Sequence, residues 1–585
     1  MGIVFSGRRL VSSNLGWFKR TRETLGEDAG RERAININAE VIRAWFPDLD
    51  PDSAAPIEIR TVHLSGTGKS ASAGLLISDE RTIRRQGGGK NWRLAGDAIP
   101  GNLYDMRVGD LMLMSFDQES NTLTWIILRQ GNLPDRPVSP DEGMAYATAL
   151  TLLGPDRGNM WLIPEATMIS VAALLKPIYP LVNRLLMLNK KFLSEWNDAV
   201  EKSGFESEPE LPRRFVAALL TKRFCILTGL SGSGKTLLAR TFVRWICETR
   251  NQYALVPVGS NWIGNENIVG YPDALDESKY HRTAALDVML KALENPDKPH
   301  FLILDEMNLS HVERYFADFL SAIESPDEPM FLHGDDSPRS GVPSKLDRFP
   351  ENLFVIGTVN IDETTYLFSP KVLDRAQVIE FKAPVSAVEG FINKIGTHQS
   401  SDIEALGSRY GGLLVSEASD RVASQISNTK AKAIFGAEML LLSQLLVRHR
   451  MEVGFRSVSQ VARYFEYNLR FHENLSDSEL LELCRVVLDE VILQKFLPKL
   501  NGTRSKLGPV LADLIWYSEK QHQYDGYDPD ESAASLKTIS NAYDLLDGSA
   551  QPGESSNDPF LPKSLNKLRQ MSRQLDDGFA AFAEA

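Results

Sequence analysis

The run Gly229-Leu230-Ser231-Gly232-Ser233-Gly234-Lys235-Thr236 carries the most specific chemistry in the sequence. Its pattern, GxxxxGK followed by Ser or Thr, is that of a loop whose backbone N–H groups close around phosphate oxygens. Glycines permit the turn, and a following helix adds partial positive charge at its first turn. Lys235 is expected to reach the β- and γ-phosphates, and the Thr236 hydroxyl to ligate Mg²⁺. Asp305-Glu306 stands 70 residues after Lys235 at the end of an apolar run, Phe301 to Leu304. Asp305 suits Mg²⁺, and Glu306 suits polarisation of an attacking water; a pair of acids capping the next helix is the bland alternative. Asn360 closes a third apolar run, Leu353 to Thr358, where a polar group orients water or the γ-phosphate; a simple turn Asn is its alternative. Arg375 precedes a fifth run, Val378 to Phe381, a position from which a guanidinium stabilises charge on a neighbour's nucleotide. It is otherwise an exposed arginine paired with Asp374.

These side chains require strands that end in them. Phe224 to Thr228 is an apolar strand entering the glycine loop, and Leu237 to Arg240 continues as a helix. From Arg223 to about Pro384 strands alternate with helices, which predicts a parallel sheet covered on both faces. The reading is multidomain: a β-rich small barrel over 1–145, a helical linker over 146–204, an α/β core over 205–384, a helical lid over 385–520, and a tail over 521–585 with a flexible linker and a terminal helix from about Pro562 to Phe582. Periodic helical runs include Leu181 to Trp196, Glu438 to Arg448 and Ser478 to Gln494. Three prolines in 131–142 mark a linker.

At 585 residues several cores are expected, and 43% hydrophobic with 24% charged residues is ordinary globular composition. A net charge of −13 argues against non-specific nucleic-acid binding by the whole molecule. Three scattered cysteines, Cys225, Cys247 and Cys484, predict neither a disulfide framework nor a zinc site and point to a reducing compartment. No apolar run reaches bilayer length. The start Met1-Gly2-Ile3-Val4-Phe5-Ser6 formally fits a myristoylation pattern, but Arg8 and Arg9 follow without a long apolar stretch; a bare cytoplasmic amino terminus is expected.

The amino-terminal segment carries its own charge signal. Between Arg60 and Asp97 seven Lys or Arg face three acids, a local balance of +4. Arg81, Arg84, Arg85, Lys90, Asn91, Trp92 and Arg93 surround Gly87-Gly88-Gly89, and combine cations for phosphates with groups that touch bases. A solvated basic loop is the alternative. Ser65-Gly66-Thr67-Gly68-Lys69-Ser70 imitates the end of the phosphate motif, but His63 stands where its first glycine belongs, and it reads as a polar loop.

Taken together these segments resemble the AAA+ superfamily of NTPases, and within it the McrB-like branch of restriction motor proteins. The resemblance rests on the Walker-type runs above, on Gly259-Ser260-Asn261-Trp262 with Gly270-Tyr271, on Leu304 to Ser310 with Val312 to Phe316, and on Gly454-Phe455-Arg456; it spans about residues 205 to 500. It implies Asn360 as sensor 1, Arg375 as an arginine finger, Arg456 as sensor 2, and a homo-oligomeric ring, expected as a hexamer. It further implies hydrolysis of GTP or ATP with Mg²⁺, double-stranded DNA bound by the amino-terminal domain, and a separate McrC-like nuclease subunit. Tyr104 to Asp110 weakly resembles the B3-like and EcoRII-type small-barrel DNA readers. One departure matters: the branch carries an arginine in a signature after sensor 1, and Asn360-Ile361-Asp362-Glu363-Thr364-Thr365 lacks it, which leaves the nucleotide open and makes Arg314 or Arg375 the candidate substitute. The competing class is a MoxR-like chaperone whose amino-terminal domain holds a protein client.

Overall fold

The computed structural model describes residues 3–9, 34–37, 39–47, 57–64, 76–85, 92–95, 110–117, 122–128, 140–153, 161–163, 167–168 and 171, and then 190–276, 278–334, 338–361, 366, 368–382, 389, 392, 402–419, 426, 428–472, 475–519 and 559–582. The chain divides into two compact units, Met1–Met187 and Leu188–Ala585.

The first unit is a mixed sheet of eight strands: β1 (Ile3–Arg9), β2 (Ala34–Ile37), β3 (Ile57–Leu64), β4 (Leu76–Arg85), β5 (Trp92–Ala95), β6 (Leu111–Asp117), β7 (Thr122–Leu128) and β8 (Trp161–Ile163). Helices α1 (Ala39–Trp45) and α2 (Pro140–Leu153) accompany it, so the proline-marked linker ends in a helix that starts at Pro140, a favoured first helical position. The order is β2-β5-β4-β3-β7-β6-β1-β8, antiparallel throughout except where β3 meets β7. β6 and β7 pair antiparallel, Leu111 opposite Leu128 through Asp117 opposite Thr122. Among the described residues no strand pair joins β2 to β8. Its core gathers Trp45, Ile59, Ile83, Trp92, Met114, Phe116 and Trp125, with Trp45 stacked on Phe116 at 4.8 Å between centroids.

The second unit begins with α3 (Lys190–Lys202) and α4 (Leu211–Thr221). Only the end of the helix expected over 181–196 lies within the described residues, and it continues to Lys202. Strand β9 (Phe224–Gly229) leads through the glycine loop into α5 (Lys235–Ile246). There follow β10 (Tyr253–Pro257), α6 (Glu266–Val269), the hairpin β11 (Tyr271–Pro272) and β12 (Tyr280–His281), α7 (Ala284–Glu294) and β13 (His300–Asp305). After these come α8 (Val312–Tyr315), α9 (Ala317–Glu324), the hairpin β14 (Met330–Phe331) and β15 (Lys345–Leu346), β16 (Leu353–Asn360), α10 (Pro370–Arg375) and β17 (Gln377–Phe381). The sheet order β10-β13-β16-β9-β17 is parallel throughout. Every residue of β9 is buried, as strands covered on both faces must be, which is why they read as unbroken apolar runs. From β9 the chain crosses to the far edge at β10 and works back, then adds β17 on the other side. The crevice at the carboxyl end of β9 is therefore a topological switch point, where open α/β sheets bind ligands.

The remaining helices are α11 (Gly411–Ser419), α12 (Thr429–Arg448), α13 (Phe455–Phe471), α14 (Asp477–Val491), α15 (Arg504–Ser518) and α16 (Pro562–Gln574), with β18 (Asn501–Thr503) paired to β19 (Phe579–Ala581). The terminal helix stops at Gln574 instead of running to Phe582. Gly578 adopts φ 99°, a left-handed turn that glycine takes without cost, and the chain then extends as β19. The tail helix is part of this unit. Asp489 accepts the first-turn N–H groups of Lys563 and Ser564 at 2.9 and 2.8 Å, and buried Lys567 bonds Glu380 of β17 at 2.6 Å.

Candidate active site

Three strand ends converge on the glycine loop. Gly229 ends β9 with φ 154°; a Cβ there would meet the Phe381 carbonyl at 2.6 Å. Gly234 caps α5 in the left-handed region at φ 95°, and a Cβ there would meet the Phe205 ring at 2.4 Å. Both positions thus require glycine for backbone conformation and for space. Among the described residues the N–H groups of Ser231, Gly232 and Gly234 have no backbone acceptor, and the first amides of α5 have none within the helix. This is the donor set an anion would satisfy.

Lys235 is buried and folds back on its own loop. Its Nζ donates to the carbonyls of Gly229 at 2.9 Å and Leu230 at 2.6 Å and to Ser233 Oγ at 3.3 Å. Burial lowers its pKa, with the charges of Asp305 and Glu306 pulling the other way. Those carbonyls occupy the ammonium.

Asp305 ends β13 and receives two hydroxyls on one oxygen. Thr236 Oγ1 donates to Oδ1 at 2.7 Å, and Thr358 Oγ1 to the same atom at 2.6 Å. A hydroxyl and a carboxylate in contact form an oxygen pair suited to Mg²⁺, which takes one or two protein oxygens and fills its octahedron with phosphate and water. Glu306 follows in a left-handed conformation, φ 54° and ψ 47°, uncommon for a residue with a side chain. Its carboxylate accepts Asn360 Nδ2 at 2.8 Å, so two predicted site residues are in contact. Asn308 donates to the Asn360 carbonyl at 3.0 Å, and its buried Oδ1 has no partner among the described residues. The segments that carried the resemblance also meet: Ser310 Oγ donates to the Trp262 carbonyl at 2.5 Å, and the Trp262 and Tyr315 rings lie edge to face.

Arg375 and Arg456 lie elsewhere. Arg375 precedes β17, whose Gln377 is level with Cys225 near the start of β9, so it sits at the amino-terminal edge of the sheet. That edge is roughly 20 Å from the glycine loop at about 3.3 Å per strand residue. Its Nε donates to the Leu320 carbonyl and one terminal nitrogen to the Lys371 carbonyl, both at 2.9 Å, while the other pairs with Glu324 rather than with Asp374. Arg456 pairs with the second oxygen of the same Glu324. It is therefore not placed beside the phosphate loop of its own chain, where a sensor acting in cis would stand. Lys222 completes the cluster by donating to the Asp374 carbonyl at 3.1 Å; burial, then Arg456 and Arg375, bring its pKa down to about 8. Glu324, Lys222 and Thr358 carried no signal in sequence, since each matters only through tertiary neighbours.

In the first unit Arg84 stands opposite Arg93, and Arg85 opposite Trp92, in the β4–β5 ladder. Arg81 lies in β4 opposite Ile59. Trp92 is 4% exposed within the core, so it is not available to touch a base; period-two alternation turns it inward. Lys90, Asn91, the 65–70 loop, Asp362 to Thr365 and the flexible linker expected in the 521–585 tail lie outside the described residues. No described helix is long and apolar enough to cross a membrane.

A family described only as a domain of unknown function, DUF8727, matches residues 418–579, which spans the expected lid–tail boundary at 520. No curated protein matches. Among solved structures, a candidate ATPase from Cytophaga hutchinsonii is similar at 11% identity and a TM-score of 0.35, covering 51% of this chain and 87% of that one.

Proposed function

We propose that this chain is an AAA+-type NTPase that binds a nucleoside triphosphate with Mg²⁺ on the loop from Gly229 to Thr236 and hydrolyses it. The observation that carries this is the convergence of Thr236, Asp305, Glu306 and Asn360, from one helix and two parallel strands, at the mouth of a glycine loop with unpaired amides. The loop amides and Lys235 hold the phosphates. Thr236 and Asp305 hold the cation, which supplies charge neutralisation on the phosphates. Glu306 accepts a proton from the attacking water once Asn360 hands over its carboxylate. Arg375 and Arg456, at the opposite edge, serve the nucleotide of a second copy, and a ring of copies is the closed arrangement that such a head-to-tail contact generates.

Within that class we favour a DNA-directed motor of the McrB-like kind, working with a separate nuclease, over a MoxR-like chaperone. The segment from Arg60 to Asp97, which includes the register partners Arg84 and Arg93, carries a local balance of +4 in a chain of net charge −13, a composition that suits a phosphate backbone. The test is hydrolysis of GTP and of ATP by the purified protein with and without duplex DNA. Stimulation by DNA that disappears in Arg84→Ala/Arg93→Ala supports the motor. Hydrolysis indifferent to DNA favours the chaperone, and no hydrolysis of either triphosphate overturns the NTPase reading.

A further inference from the structure

We infer that Thr358 is a positioning residue for hydrolysis, fixing both acids of the site through one hydroxyl; the inference rests on the NTPase reading above. The β13–β16 register pairs Leu304 with Gly357, and so sets the next residues, Asp305 and Thr358, side by side where the strands end. Thr358 is 2% exposed. Its Oγ1 donates to Asp305 Oδ1 at 2.6 Å and accepts the Glu306 N–H at 3.0 Å. The hydroxyl has one proton, so its direction is fixed: the proton goes to the carboxylate and a lone pair goes to the amide.

Each bond does separate work. With Thr236 also donating to Oδ1, that oxygen accepts two hydroxyls, which fixes the orientation of the carboxylate that would help to hold the cation. The bond to the Glu306 amide holds a left-handed residue, a conformation that persists only where neighbours over-determine it. That turn aims the Glu306 carboxylate back across the strand to Asn360, two residues beyond Thr358 and on the same face of β16. Thr358 and Asn360 thus form one unit, the first fixing the Glu306 backbone and the second its side chain. Thr358 is buried and its hydroxyl is engaged on both sides by the protein, so its effect falls on the rate and not on affinity.

The experiment compares Thr358→Val, which keeps the shape and removes the hydroxyl, with Thr358→Ser, which keeps the hydroxyl. Expected for Thr358→Val are Mg-nucleotide affinity and KM within about threefold of wild type, and kcat lower by about 10- to 100-fold, the scale of a small misplacement of a reacting group. Thr358→Ser is expected to restore kcat to within about threefold of wild type. In a crystal structure of Thr358→Val, Glu306 is expected to leave the left-handed region. Wild-type kcat in Thr358→Val, an equal loss in both variants, or a loss confined to affinity or folding each overturns the inference. If wild-type protein hydrolyses a triphosphate and Thr358→Val matches it, this inference alone falls. If wild-type protein hydrolyses none, the functional reading falls first and takes this with it.

Discussion

The two edges of the five-stranded sheet are built on different principles. At the carboxyl edge the chemistry comes from contiguous chain: eight residues from Gly229 to Thr236 supply the amides, the ammonium and a hydroxyl, and Asp305 at the end of β13 with the adjacent Glu306 supplies the acids. At the amino edge a charge cluster is assembled from four distant places, Lys222, Glu324, Arg375 and Arg456, around the single carboxylate of Glu324. The first edge is complete within one chain except for its ligand. The second holds cations whose own chain offers them no phosphate, and Arg456, with its side chain 57% exposed, is the more available of the two arginines. Arg375 ends α10, a position where a cation is favoured, and also bonds the Leu320 and Lys371 carbonyls.

Perturbing each edge separately sharpens that contrast. Glu306→Gln is expected to bind nucleotide normally and lose about 10³-fold in turnover, the range for a lost general base; single-turnover kinetics at wild-type rate would remove Glu306 from the chemistry. Arg456→Ala is expected to spare affinity and lower turnover about 10²-fold in the assembled protein, as when one charge-stabilising donor is removed. Full activity in a dilute monomeric fraction would break the assignment of that edge to a neighbour. Gly234→Ala is expected to cost about 1–3 kcal/mol in denaturant unfolding, since the residue must hold a left-handed φ against the Phe205 ring. An unchanged unfolding midpoint would show that the loop does not need its observed shape.

The smallest effect is electrostatic. Half-buried Lys222 has its pKa lowered to about 8 in the folded chain, whereas an unfolded lysine keeps its proton to about pH 10.4. The unfolded state then binds more protons, so this group makes the folded state more stable as pH rises between those values, by about 1 kcal/mol from pH 8 to 9. Lys222→Met is expected to flatten that rise, and identical slopes in the two proteins would place Lys222 outside the charge cluster.

The same division explains what was legible in the sequence. The glycine loop, Asp305-Glu306 and the parallel sheet announce themselves because each is written in contiguous residues with a period or a motif. Asn360 was legible as the end of an apolar run, but its contact with Glu306 depends on the β13–β16 register. Thr358 passed for an ordinary strand threonine for the same reason. Glu324 gave no signal, since an acid ending a surface helix is commonplace until two arginines meet on it. Trp92 misled because its neighbours in sequence are cations, whereas strand alternation and not neighbourhood decides which way a side chain faces. The extent of the terminal helix was overestimated even though Gly578 offered a stop signal four residues past its observed end.

The central claim is that one loop holds a triphosphate through backbone amides, Lys235 and a cation on Thr236 and Asp305. Calorimetric titration of Mg-ATP and Mg-GTP into wild-type protein and into Lys235→Ala tests it most directly. Saturable one-site binding of at least one nucleotide by wild type, weakened by about 100-fold or more without the ammonium, is the predicted result. Flat traces for both nucleotides, or equal affinity in the two proteins, would contradict it.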